Sequence, residues 1–209
     1  MRQQAGFTLV EIAIVLVIIG LLLGGVLKGQ EIITNAKIKN LESDFNGISA
    51  AIYSYQDRYR AIPGDDKNTA TRWGATVPSG DGNSKIAAGA TIHKFDSTTA
   101  GEESRLFWLH LRNAGLVTGA KTSQDQPLNA FGGITGVSND SNANGSTSTG
   151  TTIPGLFVGF TQIPGNIAVI LETQSDDQLA NTGSIRSDQS DYTVNNGSSL
   201  VLHKLYFAL

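Results

Sequence analysis

The sequence predicts an α+β protein in which one long N-terminal helix packs on a small antiparallel β-sheet, with one extra short helix. Three observations carry this. From Phe7 to Leu27 the chain is apolar and its only charge is Glu11. An apolar stripe of helical spacing follows, and after residue 150 come short apolar, β-branched segments separated by turn residues.

The first helix has two halves. About 21 residues at about 1.5 Å each span a bilayer core of about 30 Å, so residues 7–27 form a transmembrane half. The second half is read from Ile38, Leu41, Phe45, Ile48, Ile52, Tyr55 and Tyr59, spaced alternately by three and four. These positions share one face of a helix, while Lys37, Lys39, Glu42, Asp44, Asp57 and Arg58 lie off it. No proline interrupts before Pro63, so a single helix is expected from about Thr8 to Tyr59, roughly 75 Å long. Pro63-Gly64 then forms a turn, since proline disfavours helix at the residue before it. Residues 28–62 are assigned to the amphipathic half and 63–209 to a globular domain.

Within that domain, Asp65 to Thr99 reads as loop with short ordered pieces. Glu102 to Ala114 reads as a second helix: Leu106, Leu109 or His110, and Ala114 recur near a 3.6 period, Phe107, Trp108 and Leu111 widen the face, and Gly115 is its stop. Ser138 to Thr152 is polar, low-complexity sequence, expected to be an exposed mobile loop. Leu156 to Thr161 and Ile167 to Thr173 read as two strands of a hairpin around Pro164-Gly165, and Leu200 to Phe207 as a third strand.

Bulk properties narrow the functional classes. The 209 residues carry a formal net charge of -3, which does not suit a nucleic-acid binder. Cysteine is absent, which removes disulfides and thiolate chemistry. His93, His110 and His203 have no metal-ligand spacing. No phosphate loop, nucleophile elbow or Ser/His/Asp grouping stands out, so an enzyme is not expected. Trp73 and Trp108 are read as packing anchors.

Glu11 is the anomaly of the N-terminal segment. A carboxylate in hydrocarbon costs about 2.5–3.5 kcal/mol even on lenient scales and needs a partner. A secretory signal peptide has a shorter apolar run and a small-residue cut site after it, and a plain signal anchor leaves Glu11 unexplained. The string Gly6-Phe7-Thr8-Leu9-Val10-Glu11 resembles, position for position, the processing motif of type IV pilins and the pseudopilins of type II secretion. Tyr59 followed by Pro63-Gly64-Asp65, and the segment from Trp108 through Gly119, resemble further parts of such proteins.

The resemblance implies a leader of residues 1–6, cleavage between Gly6 and Phe7 by a membrane peptidase, and N-methylation of the new Phe7 amine. It implies that Glu11 pairs with the N-terminal amine of a neighbouring subunit during assembly, which suits a buried carboxylate's need for a buried cation. The architecture expected is that of a pilin. The function expected is a structural subunit of a type IV pilus or pseudopilus-like filament; the alternative is a minor pilin or tip protein with an adhesive or DNA-contacting surface. Partners would be identical or related subunits, the processing peptidase and methylase, the inner-membrane assembly machinery and lipid, with no nucleic acid expected. Arg2 in the leader orients a single-pass inner-membrane protein whose C-terminal domain is periplasmic before it enters a filament.

Two segments have a calcium look. Some pseudopilins hold calcium in a C-terminal loop, and Asp176-Asp177-Gln178 to Gly183 resembles an Asp-Asp-Gly…Thr/Ser-Gly string of related proteins, with Gln178 where glycine is usual. Asp176 and Asp177 are therefore candidate calcium ligands, with an Asx-rich turn as the other reading. Gly80-Asp81-Gly82-Asn83 lacks the spaced carboxylates of an EF-hand and reads as a turn.

Overall fold

The computed structural model describes residues 8–88, 91–92, 94–139, 153, 155–189, 192, 195–196 and 199–209. The chain divides into two compact units, residues 1–39 and 40–209. Gly6, Phe7 and His93 lie outside the described residues, as does the predicted mobile loop beyond Asn139 apart from these fragments.

Helix α1 is Leu9–Tyr59, within one residue of the span the apolar pattern predicts. In the first unit its residues up to Leu27 are exposed on every face. Apolar side chains all round a helix match a hydrocarbon surrounding rather than water. The helix is long and apolar enough to cross a membrane.

In the second unit the predicted stripe is buried at Leu41, Ile48, Ile52 and Tyr55. Phe45 extends it onto the sheet: its ring lies 5.4 Å from that of Phe207, which in turn stands edge-on to Phe160 at 5.2 Å. The helix ends because Arg60 takes a left-handed conformation (φ 56°), with its amide still bonded to the Gln56 carbonyl at 2.8 Å.

The region after α1 is loop with short ordered pieces, as the sequence predicts. Helix α2 (Thr69–Trp73) and the short strands β1 (Ala87–Ala88) and β2 (Thr91–Ile92) form there. Helix α3 (Glu103–Asn113) is the second helix the sequence predicts. It closes with a Schellman pair: the Gly115 amide bonds the Arg112 carbonyl at 3.1 Å and the Leu116 amide bonds that of Leu111 at 3.0 Å. Leu106, Phe107, Trp108, Leu109 and Leu111 are all buried, so α3 is an interior helix, and Trp108 is a packing anchor.

The main sheet has four antiparallel strands in the order β3-β4-β8-β5. These are β3 (Thr135–Asn139), β4 (Leu156–Pro164), β5 (Ile185–Ser187) and β8 (Leu202–Ala208). Two-residue strands β6 (Asn195–Asn196) and β7 (Ser199–Leu200) pair with each other. Register runs Val158 to Phe207 and Phe160 to Leu205, then slips before Ile163 pairs His203; Gln162, at φ 61°, sits in the slip. Phe95, Phe157, Tyr206 and Ile153 make one compact cluster on this framework.

Two expectations fail here. Ile167 to Thr173 is not a strand; it lies inside helix α4 (Gly165–Ser175). Pro164 is the last residue of β4 and the N-cap of α4, with its ψ of 141° still extended, so Pro164-Gly165 starts a helix rather than a hairpin. Ile167, Ala168, Leu171 and Glu172 are buried, which is the i, i+1, i+4, i+5 face of a helix. The second correction is smaller: Ser138 and Asn139, assigned to the mobile loop, finish strand β3.

Candidate functional sites

The processing motif enters the described structure at Thr8, one residue before α1. The Thr8 amide and Oγ1 both donate to Glu11 Oε2 at 2.8 Å, and the Glu11 amide donates back to Thr8 Oγ1 at 3.3 Å. This is a reciprocal capping box: residues of the type Thr-x-x-Glu satisfy amides that a helix start leaves open. It turns the Glu11 carboxylate back towards the chain's N-terminal end. Both residues are exposed, so the carboxylate is oriented but open to a partner. The pattern was readable in Thr8-Leu9-Val10-Glu11, although the charge of Glu11, not its spacing from Thr8, is what draws notice.

A model of the prokaryotic N-terminal methylation motif matches residues 1–27. The chain bears the type IV pilin and pseudopilin signature. No curated protein and no solved structure matches the chain. Behind this prepilin-type N-terminus, the long apolar helix and the small antiparallel sheet give an α+β, pilin-like architecture. Proteins with this signature are structural rather than catalytic as a class.

The Pro63-Gly64-Asp65 exit is a buried polar knot. Gly64, at φ 93°, donates its amide to His110 Nδ1 at 2.9 Å, and a Cβ there would come within 2.4 Å of the Glu103 carbonyl oxygen. Only glycine satisfies both demands. His110 Nε2 faces the Pro78 carbonyl at 2.8 Å. Because Nδ1 accepts, the proton belongs on Nε2. Burial holds the His110 imidazole down at about 4.

Asp66 Oδ2 accepts from Tyr55 at 2.8 Å and from Arg72 at 2.7 Å, and Oδ1 accepts the Asn68 amide at 2.8 Å. Burial opposes its ionisation, but Arg72, the Asn68 amide and Tyr55 together outweigh burial and hold the carboxyl below its ordinary range. The knot thus ties the end of α1 to α2 and α3.

Two acidic groups stand elsewhere in the second unit. Oxygens of Asp65, Asp81 and Glu103 lie within 4.8 Å of one another. Asp65 takes the amides of Asn83 and Ser84, and Glu103 takes those of Asp81 and Ala87, at 2.7–2.9 Å. Asp81 accepts from the amide and side chain of Asn83. This group pins the Gly80-Asp81-Gly82-Asn83 turn to α3, in keeping with the turn reading.

The other group joins both predicted ligands, Asp176 and Asp177, to Glu172, again within 4.8 Å. Asp177 accepts from the Leu179 amide at 3.0 Å and from the Thr182 hydroxyl; Asp176 Oδ2 accepts the Ile185 amide at 2.6 Å. Gln178, where related strings carry glycine, is left-handed at φ 69°, a conformation glycine adopts freely. Sequence reading missed Glu172 because Ile167–Thr173 was taken for a strand. A helix places it one turn before Asp176. Burial pushes its carboxyl up to about 7; the Tyr192 hydroxyl and Gln178 amide pull against this, while the charges of Asp176 and Asp177 add to it.

Proposed function

We propose that this chain is a structural subunit of a type IV pilus or pseudopilus-like filament. It is cut between Gly6 and Phe7, methylated on the Phe7 amine, stored in the inner membrane through α1 with its second unit in the periplasm, and then polymerised. The observation that carries this reading is the methylation motif running directly into an apolar helical surface broken by one carboxylate. In water that surface is unstable; in a bilayer it is satisfied by lipid. In a filament it is satisfied by the same helices of neighbouring subunits, through close packing.

Glu11 sets register in this reading. Its carboxylate is held open by Thr8 and costs least beside a cationic amine. N-terminal sequencing of the mature protein tests the proposal: a start at N-methylated Phe7 is expected, and any other start sinks it. Glu11→Ala should leave cleavage intact and abolish filaments seen by electron microscopy. Normal filaments in that variant would remove the role assigned to Glu11.

Calcium at Asp176 and Asp177 belongs to the same proposal. Hard divalent cations take oxygen ligands, and the turn after α4 offers two carboxylates. The observations that support a fit are the converging third carboxylate and a tight cradle, in which a Cβ at Gly183 would come within 2.1 Å of Asp176 Oδ2. Bound there, calcium would supply charge neutralisation and cross-linking of the turn, with no chemical step.

A further inference from the structure

A groove of about 350 Å³ opens on one flank of α1 in the second unit. Its walls are mainly apolar, from Ile48, Leu116, Pro127 and Leu128, and Gly47 leaves open space where a Cβ would stand. Leu128 is 69% exposed there. Asp44 is the one charged residue lining the groove. It is half-buried, and burial pushes its carboxyl up with no hydrogen-bond donor among the described residues set against it. A carboxylate that has lost part of its water gains most from a donor. The groove's chemistry therefore suits a group that is apolar along its body and ends in a hydrogen-bond donor, as tyrosine does.

The same helix carries such a group on its other flank. Tyr53, at 58%, is the one exposed aromatic side chain among the described residues. From Asp44 to Tyr53 is about two and a half turns of α1, which sets the two on opposite sides of its axis. We infer that Tyr53 of one copy of this chain docks in the groove of the next copy, its ring against Ile48 and Leu128 and its hydroxyl donating to the Asp44 carboxylate. This rests on the filament reading above and names a contact between neighbouring second units. A knob on one flank and a groove on the other make a heterologous contact, which passes from copy to copy without closing a pair. One tyrosine buries about 150–250 Å², against about 1,200 Å² for a stable pair. The contact therefore forms where the N-terminal helices already hold copies together, and not between second units free in solution. Tyr53 stands about seven residues beyond the α1 residues of the groove, so parallel neighbours are offset by about 10 Å along the helix.

The chain has no cysteine, so introduced cysteines report the contact directly. Ala50 is exposed one turn before Tyr53, and Thr118 is exposed in the groove. The double variant Ala50→Cys with Thr118→Cys, treated with a short bismaleimide in cells assembling filaments, should give a ladder of linked multimers. Each single variant should give monomer alone. Filament yield by electron microscopy is the second readout. It should fall at least tenfold in Tyr53→Ala and less in Tyr53→Phe and in Asp44→Asn, with those two combined no worse than either alone. Leu202→Ala, at an exposed position that lines neither part, should match the parent. Thermal unfolding of Tyr53→Ala should also match the parent, which separates lost docking from lost folding. Filaments without the ladder, a linked dimer from a single variant, or parent-level filaments in Tyr53→Ala would each overturn the docking and leave the filament reading standing. No filaments from the parent would overturn both.

Discussion

Acid should loosen the second unit through His110, by an amount the structure fixes. The imidazole is fully buried, accepts the Gly64 amide on Nδ1 and faces the Pro78 carbonyl with Nε2. A second proton can go only on Nδ1, where it would face an N–H and break the Gly64 bond. Burial holds the folded-state value down at about 4, against an ordinary 6.5. The unfolded chain takes up this proton at higher pH than the folded one. The contribution is therefore intact above pH 6.5 and is lost as pH falls through 6.5 towards 4. The full difference between 6.5 and about 4, at about 1.4 kcal/mol per tenfold, gives about 3.5 kcal/mol, a large share of a typical domain stability of about 5–15 kcal/mol.

Glu103 works in the opposite sense. Burial raises it to about 7, despite the amides of Asp81 and Ala87, and Asp65 and Asp81 add to the rise. Its contribution is present below about pH 4.5 and is lost as pH rises through 7. The parent profile alone is thus a poor measure of His110. The difference between the parent and His110→Gln, from urea unfolding at pH 4 to 8 in detergent, isolates it. The difference should be flat above pH 7 and shift by about 3 kcal/mol in the variant's favour by pH 4. A difference that stays level across the range, or a His110 resonance titrating near its ordinary value, would refute the reasoning.

Gly64→Ala should destabilise the second unit by about 3 kcal/mol or more, since it adds left-handed strain to a clash with the Glu103 backbone; thermal unfolding reads this. Asp66→Asn should cost about 2–3 kcal/mol, because Arg72 keeps a buried charge without its partner but is partly hydrated, and Tyr55→Phe about 1 kcal/mol, both by urea unfolding. Thr8→Ala should weaken the start of α1 by about 1 kcal/mol, with Thr8→Ser close to neutral, measured as amide exchange over residues 9–12.

The helix was legible because its signal is long and redundant. A 21-residue run with one charge and seven stripe positions agree on one element, and Pro63 limits it. The processing motif was equally legible, being a contiguous string. The misread segment shows where such reading stops. Ile167 to Thr173 is a short apolar run, and short runs satisfy helix and strand alike; only the burial of Glu172 with Ile167, Ala168 and Leu171 distinguishes them. That error hid the third carboxylate beside Asp176 and Asp177. Strand β3 went unseen because Thr135-Gly136-Val137-Ser138-Asn139 carries little apolar character of its own and is ordered by pairing with β4. The knot at His110 was out of reach, since its members stand 46 residues apart in the chain.

The strand order has a consequence for the life of the chain. β8 follows β4 and β5 in the chain, yet it sits between them and is what joins them. Synthesis proceeds from the N-terminus, so residues 135–187 emerge before the middle strand of their sheet. Until Leu202–Ala208 follow, β4 has an open edge and β5 has no neighbour in the sheet. A chain stalled or clipped before residue 202 would leave β4 with an open edge, and an unpaired edge is a template for wrong pairing.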